Sequence, residues 1–196
     1  MNKYVIVSCS SRENNQSSRV AAVINNLIIE TDGKAQTEII DLAKTKYQEW
    51  NNACWGKDIP CKYWRQGSKI LAESDGIIFV VPEWHGMIPP ALSNLLILAE
   101  RNELAHKPAL IVSISGGSGG AYPMAQLKGF SNKNNRLCYI PDHVIIRNVS
   151  KKALMPEDND YKHLLYSLSI LSAYMSALTS VRNSGVVDYD SWPYGM

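Results

Sequence analysis

The chain is short of the features that mark several protein classes. It has no run of about 18 apolar residues, so no membrane-spanning helix is predicted and no membrane partner is expected. The four cysteines, Cys9, Cys54, Cys61 and Cys138, match no zinc spacing. The apolar stretch within Met1 to Val7 is too short for a signal peptide core and lacks a small-residue cleavage site. A disulfide framework is therefore not expected, and a reducing cytoplasm is the default location. Charge of neither sign dominates: 20 Lys and Arg stand against 18 Asp and Glu, for a net +2. With no Lys/Arg cluster either, this argues against a nucleic-acid binder driven by phosphate neutralisation. Internal repeats and low-complexity segments are absent. So are G-x-G-x-x-G, the P-loop and G-x-S-x-G, which leaves dinucleotide-fingerprint and serine-hydrolase readings without support.

What is present is an ordinary globular composition, 45% hydrophobic and 19% charged over 196 residues. That length predicts one domain with one substantial core, over residues 1–183, followed by a loosely packed tail over 184–196. Apolar runs alternate with helical periodicity throughout. Strands are predicted at Tyr4–Val7, Gln36–Asp41, Ile77–Val81, Ala109–Ser113 and His143–Val149. Helices are predicted at Ser17–Ile29, capped by Ser17 or Ser18, then at Lys62–Ser74, Pro89–Asn102, from Ala121 to Leu127 and at Tyr161–Arg182. Alternation of this kind predicts an α/β three-layer sandwich around a five-stranded parallel sheet in order 2-1-3-4-5. The stretch from Tyr47 to Trp64 has tryptophans but no period; a loop with locally packed tryptophans is the preferred reading over a lid or a partner surface.

In such sheets ligands bind beyond the carboxyl ends of the strands, where the strand order reverses. Three loops fall there. The first, Ser8 to Arg19, gathers hydroxyls, amides and Arg12 at a helix start, a setting for a phosphate dianion; a polar loop with a serine cap would look the same. The second, Pro82-Glu83-Trp84-His85-Gly86-Met87-Ile88-Pro89-Pro90, sets flat side chains beside the crevice. His85 has no partner at metal-ligand spacing and is also readable as a hydrogen-bonded loop histidine. The third, Ser113 to Ala121, has four glycines in the five residues 116–120, which expose main-chain N–H groups or simply make a flexible turn.

These loops resemble the NADPH-dependent FMN reductase family, the flavodoxin-like group that includes azoreductases and chromate or quinone reductases. The segment Pro82 to Asn94 is similar to that family's P-E-Y-N-G-S-I-P-G-x-L-K-N; Ser10, Arg12 and Ser17 are similar to G-S-x-R-x-x-S-x-S; the third loop is similar to S-x-S-G-G-x-x-G-G. The resemblance runs from Lys3 to about Arg182. It implies FMN as cofactor and NADPH or NADH as co-substrate. Ser10, Arg12, Asn15 and Ser17 would hold the FMN phosphate. Pro82, Glu83, Trp84, His85 and Gly86 would line the isoalloxazine and ribityl chain, and Ser115, Gly116 and Gly117 would close on the pyrimidine edge. No side chain is assigned a catalytic role and no metal is implied. Departures are Cys9 for glycine, Asn15 for serine, Trp84 and His85 for tyrosine and asparagine, Pro90 for glycine and Ser93 for lysine.

The implied function is an NAD(P)H oxidoreductase that passes electrons through FMN to a small-molecule acceptor such as a quinone, azo compound or free flavin. A flavodoxin-like electron carrier and a non-catalytic flavin-binding or regulatory module are the alternatives. Carriers of that kind are strongly acidic, and this chain is not. A homodimer or homotetramer is implied through the helix beginning at Pro89. Its Leu92, Leu95, Leu96 and Leu98 fit that role, and fit burial against the sheet at least as well.

Overall fold

The computed structural model describes residues 2–54, 62 and 64–193. Five parallel strands, β1 (Lys3–Ser8), β2 (Gln36–Asp41), β3 (Gly76–Pro82), β4 (Pro108–Ile114) and β5 (Cys138–Ile146), form one sheet in the order β2-β1-β3-β4-β5. The predicted fold class and strand order are both found. Around the sheet lie α1 (Gln16–Thr31), α2 (Arg65–Ala72), α3 (Pro90–Leu98), α4 (Arg101–Leu104), α5 (Tyr122–Phe130) and α6 (Asn159–Asn183).

Because strand side chains alternate faces, each central strand feeds two cores. Val5, Val7, Ile77, Phe79, Val81 and Ile111 pack with Trp64, Leu71, Leu92, Leu95 and Leu127, on the side of α2, α3 and α5. Tyr4, Ile6, Ile78, Val80, Leu110 and Val112 pack with Val20, Ile24, Leu164, Leu171 and Met175, on the side of α1 and α6. By length and composition α6 is apolar enough to cross a membrane, but one stripe of it, including Leu164, Leu168, Leu171 and Met175, is buried in this second core.

The departures from prediction have local causes. Asn15, rather than Ser17 or Ser18, caps α1; its Oδ1 accepts the Ser18 main-chain N–H at 2.8 Å. The predicted helix over Pro89–Asn102 is two helices. The chain goes extended at Ala99, and a capping box between Glu100 and Glu103 starts α4. The break sends the buried Glu103 towards α2, where its Oε1 accepts from Ser68 Oγ at 2.6 Å. β5 covers Cys138–Ile146 rather than His143–Val149. It is an edge strand with a register irregularity opposite Ala109 to Ile111, so Pro141 is tolerated and the apolar run that signals a buried strand is missing from its first half. The bounds of α2 are tighter than the predicted Lys62–Ser74, and Lys107 explains its end: the Lys107 ammonium donates to the carbonyls of Leu71 (2.5 Å) and Ala72 (2.8 Å).

In the 47–64 stretch, Trp64 is buried in the first core with Tyr47 edge-on at 4.7 Å between ring centroids. Asn94 of α3 holds Trp50 and Gln48 by their main chain, at 2.8 and 3.2 Å. Trp64 and Trp50 thus pack against the first core rather than only within their own loop; Trp55 lies outside the described residues.

Candidate active site

The register sets Ser8 beside Val80 and Val81 beside Ser113, so the loops after β1, β3 and β4 leave the sheet side by side. Pairing continues into them: Cys9 N–H donates to Val80, Glu83 N–H to Ile114 and Ser115 N–H to Ile146, at 2.9–3.0 Å. The three loops singled out in the sequence therefore share one crevice.

In the first loop, Ser10 and Ser17 are buried while Arg12 is exposed, with no ion-pair partner among the described residues. Asn15 closes the loop in both directions. Its Nδ2 donates to the Arg12 carbonyl at 2.7 Å, and its Oδ1 accepts from Ser18. Ser10 Oγ accepts the Arg12 N–H at 3.2 Å. Ser17, in the first turn of α1, has a buried hydroxyl with no hydrogen-bond partner. The N–H groups of Gln16 and Ser17 likewise find no acceptor among the described residues. Burying the Ser17 hydroxyl unpaired costs about 1–3 kcal/mol, which a bound anion would recover, and the two N–H groups, unpaired as in the first turn of any helix, lie at the positive helix end where that anion would sit. Cys9 is buried in the core, and burial pushes its thiol well up, so it packs as a neutral side chain.

In the second loop, Trp84 and Met87 exchange both main-chain hydrogen bonds at 2.9 Å, closing a two-residue hairpin. Its central residues are left-handed, His85 at φ 50° and Gly86 at φ 75°, the pattern of a type I′ turn. That turn favours Asn-Gly, so His85 takes up a strained backbone position at the tip. Gly86 packs on the ring of Tyr122; a Cβ there would stand 3.7 Å from Cδ2. The Glu83 carboxylate is directed at the third loop, where its Oε2 accepts the Gly120 N–H at 2.6 Å.

The glycines of the third loop divide into two pairs. A Cβ at Gly119 would meet Glu83 Oε1 at 2.5 Å, and one at Gly120, where φ is 107°, would meet Ile145 at 2.6 Å. A Cβ at Gly116 or Gly117 would meet nothing within 4 Å, so these two border open space. Gly117 N–H donates to Ser115 Oγ at 3.2 Å.

Two parts of the site were not foreseen. One is Asp41 at the end of β2, whose Oδ2 lies 2.9 Å from Ser18 Oγ, which in turn is 3.1 Å from Ser8 Oγ. The other is the loop after β5. Arg147, Asn148 and Val149 all bond the glycine loop, and Arg19 of α1 reaches the Val149 carbonyl at 2.7 Å. Extending the predicted strand to Val149 hid this loop; Pro141 inside an otherwise readable strand was the available sign that the strand lay earlier and at an edge. No group of three His, Cys, Asp or Glu is placed to hold a metal ion among the described residues.

A sheet of this order, with a loop-to-helix nest beside its switch point, defines a flavodoxin-like domain. The family model for NADPH-dependent FMN reductase matches residues 2–151, which takes in every loop of the crevice and stops short of α6. The chain belongs to the NADPH-dependent FMN reductase family and is an NAD(P)H-dependent oxidoreductase of that kind. It is 24% identical over 150 residues to an NADPH azoreductase from Bacillus sp. (strain OY1-2), covering 74% of this chain and 80% of that one. Solved structures share the fold. FerB, a flavoenzyme NAD(P)H:(acceptor) oxidoreductase from Paracoccus denitrificans, superposes with a TM-score of 0.65 at 16% identity, covering 92% of this chain and 98% of that one. An azoreductase from Bacillus anthracis gives 0.54 at 15% identity, covering 94% and 100%.

Proposed function

We propose that the crevice holds FMN, with the phosphate in the first loop, and that the protein uses NAD(P)H to reduce a small planar acceptor such as a quinone, an azo compound or a free flavin. The observation that carries the reading is the unpaired set at the start of α1: the buried Ser17 hydroxyl and the N–H groups of Gln16 and Ser17. Ser10, Asn15 and Ser17 shape the phosphate nest, and the exposed Arg12 adds a charge-assisted donor at its rim. FMN, when bound, accepts hydride from the nicotinamide and passes electrons on to the acceptor. The chain's own part is to orient. Pro82, Trp84, His85 and Gly86 border the ring from the hairpin side. Ser115, Gly116 and Gly117 present the open side of the glycine loop to the pyrimidine edge. Glu83 acts through that loop. No proton transfer is assigned to a side chain.

The acceptor platform is the apolar rim. Met87 and Tyr122 are 55% and 68% exposed beside the hairpin, a surface suited to a flat aromatic molecule. The leucines of α3 are buried within the chain, so they do not support self-association. Exposed Ile97 on the same helix is what supports the homodimer or homotetramer. A cytoplasmic setting fits a free, buried Cys9 and a nicotinamide co-substrate.

The test is a visible spectrum of the purified protein with and without added FMN, followed by NAD(P)H oxidation with a quinone or azo dye. Flavin binding and acceptor-dependent turnover are expected. A colourless protein with no flavin affinity and no turnover overturns the reading; flavin binding without turnover would favour the carrier or regulatory module.

A further inference from the structure

The glycine loop is bonded asymmetrically. Its carbonyls are nearly all taken by the loop after β5. Ser115 C=O accepts from Val149 N–H and Gly117 C=O from Asn148 N–H, both at 3.0 Å. Arg147 Nε donates to the carbonyls of Ser118 (2.7 Å) and Gly119 (3.0 Å). Its amides are treated differently. Gly120 N–H is held by the Glu83 carboxylate at 2.6 Å, while those of Gly116, Ser118 and Gly119 find no acceptor among the described residues. A peptide unit is planar, so a carbonyl fixed to one side points its N–H to the other. Tethering the carbonyls thus turns a flexible run of glycines into a row of N–H donors with one orientation.

We propose that Glu83 and Arg147 are a matched pair of positioning residues that clamp the glycine loop from opposite sides and aim its free N–H groups at the ring of the bound flavin. The inference rests on the reading of the crevice as an FMN site and names how that site is held. Opposite charges suit the two jobs. A carboxylate holds an amide, a guanidinium holds carbonyls, and each bond is charge-assisted. Gly119 is part of the device, since any side chain there would collide with Glu83. A loop with four glycines has many conformations open to it, and fixing it before the ligand arrives removes an ordering cost from binding. Neither residue needs to touch the flavin.

The clamp serves the ring and not the phosphate, which gives it a signature. FMN and riboflavin share the ring, so loosening the loop weakens both by the same factor and leaves their affinity ratio unchanged. The experiment is fluorescence titration of the apoprotein with FMN and with riboflavin, for the wild type, Glu83→Ala, Glu83→Gln, Arg147→Ala and the double variant Glu83→Ala/Arg147→Ala. Both single alanine variants are expected to weaken both ligands about tenfold. Glu83→Gln, which keeps an oxygen for Gly120 N–H, is expected to restore most of the affinity. Because the two residues hold one loop, the double variant is expected to lose less than the product of the single losses. Melting temperatures of the variants, taken without ligand, separate a clamp from a fold defect: the clamp predicts losses of affinity that do not follow losses of stability, and losses that do follow them overturn it. Wild-type affinities in both alanine variants, or a loss confined to FMN, overturn the clamp and leave the flavin site standing. A wild-type chain that binds neither flavin overturns the site and the clamp together.

Discussion

At the scale of single residues, the two ends of the proposed flavin site rest on different physics. The phosphate end is electrostatic. Arg12 lies at the rim of the nest with its side chain exposed and uncommitted among the described residues, so its worth is set by the anion it meets. A charge-assisted hydrogen bond contributes about 1.5–3 kcal/mol, and each 1.4 kcal/mol or so is tenfold. Arg12→Ala is therefore expected to weaken FMN tenfold or more and to leave riboflavin unchanged, read by paired titrations; equal losses for both ligands would remove Arg12 from the phosphate. The hairpin end is conformational. His85 holds φ at 50°, a left-handed position that costs most L side chains roughly 1–2 kcal/mol, Asn less and β-branched residues the most. His85→Asn should leave urea stability unchanged or slightly raised, whereas His85→Val should lower it. If both variants match the wild type, the type I′ turn does not constrain this position.

Among the elements, α1 joins stability to ligand charge through its cap. Asn15 supplies an acceptor to Ser18 N–H and a donor to the Arg12 carbonyl. Asn15→Ala should cost about 1 kcal/mol of stability, the usual worth of a cap. Asn15→Asp keeps the acceptor for Ser18 N–H and sits well at the positive end of the helix but gives up the donor to the Arg12 carbonyl, so it should lose less stability than Asn15→Ala while FMN affinity falls further through repulsion of the phosphate. Urea midpoints and FMN titrations moving together in Asn15→Asp would argue against a phosphate at this helix start. At the other end of the molecule, Lys107 closes α2. Burial, with Arg182 nearby, lowers its ammonium from an ordinary value of 10.5 to about 8. In that window the unfolded chain binds the proton that the folded chain has lost, so this group makes stability rise as pH goes from about 8 to 10.5. Lys107→Met should remove that part of the rise, read as a flatter urea midpoint between pH 8 and 10 than in the wild type; an unchanged slope would mean that Lys107 stays charged.

The whole molecule has two poles. The carboxyl ends of the strands carry the crevice; the amino ends carry the C-terminal segment. Tyr189 stacks on His106 at 6.4 Å between centroids, and the guanidinium carbons of Arg101 and Arg136 lie 5.2 and 4.9 Å from its ring centre. The tail predicted to be loose is thus held at the Tyr189 ring and by Arg101 and Arg136, which donate to the Tyr189 and Trp192 carbonyls, with most of its residues exposed. Each cation–π contact at such a site is worth roughly 0.5–1 kcal/mol. Deleting residues 185–196 is expected to lower stability by about 1–2 kcal/mol and to leave FMN affinity unchanged, since no described residue of the tail bonds the crevice loops. A changed affinity would show that the poles communicate through the sheet.

Local patterning determined a good part of this protein. Continuous apolar runs rich in β-branched residues, such as Ile77–Val81, mark strands buried on both faces, and helical periodicity in 17–29 marks the helix that covers them. Alternation of the two, with right-handed crossovers, leaves few strand orders, and the observed order then brings the serine, hairpin and glycine loops to one crevice. Tertiary structure decided what depends on partners distant in sequence. An edge strand needs no apolar run, so β5 was placed late and Arg147 was hidden inside it. The break before α4 answers to Ser68, 35 residues away. Glu83 reads as a ring-side residue in its motif, yet its carboxylate belongs to Gly120, 37 residues on. A motif records which residues meet at a site; the direction in which each side chain is committed is settled by hydrogen-bond partners that only folding brings within reach.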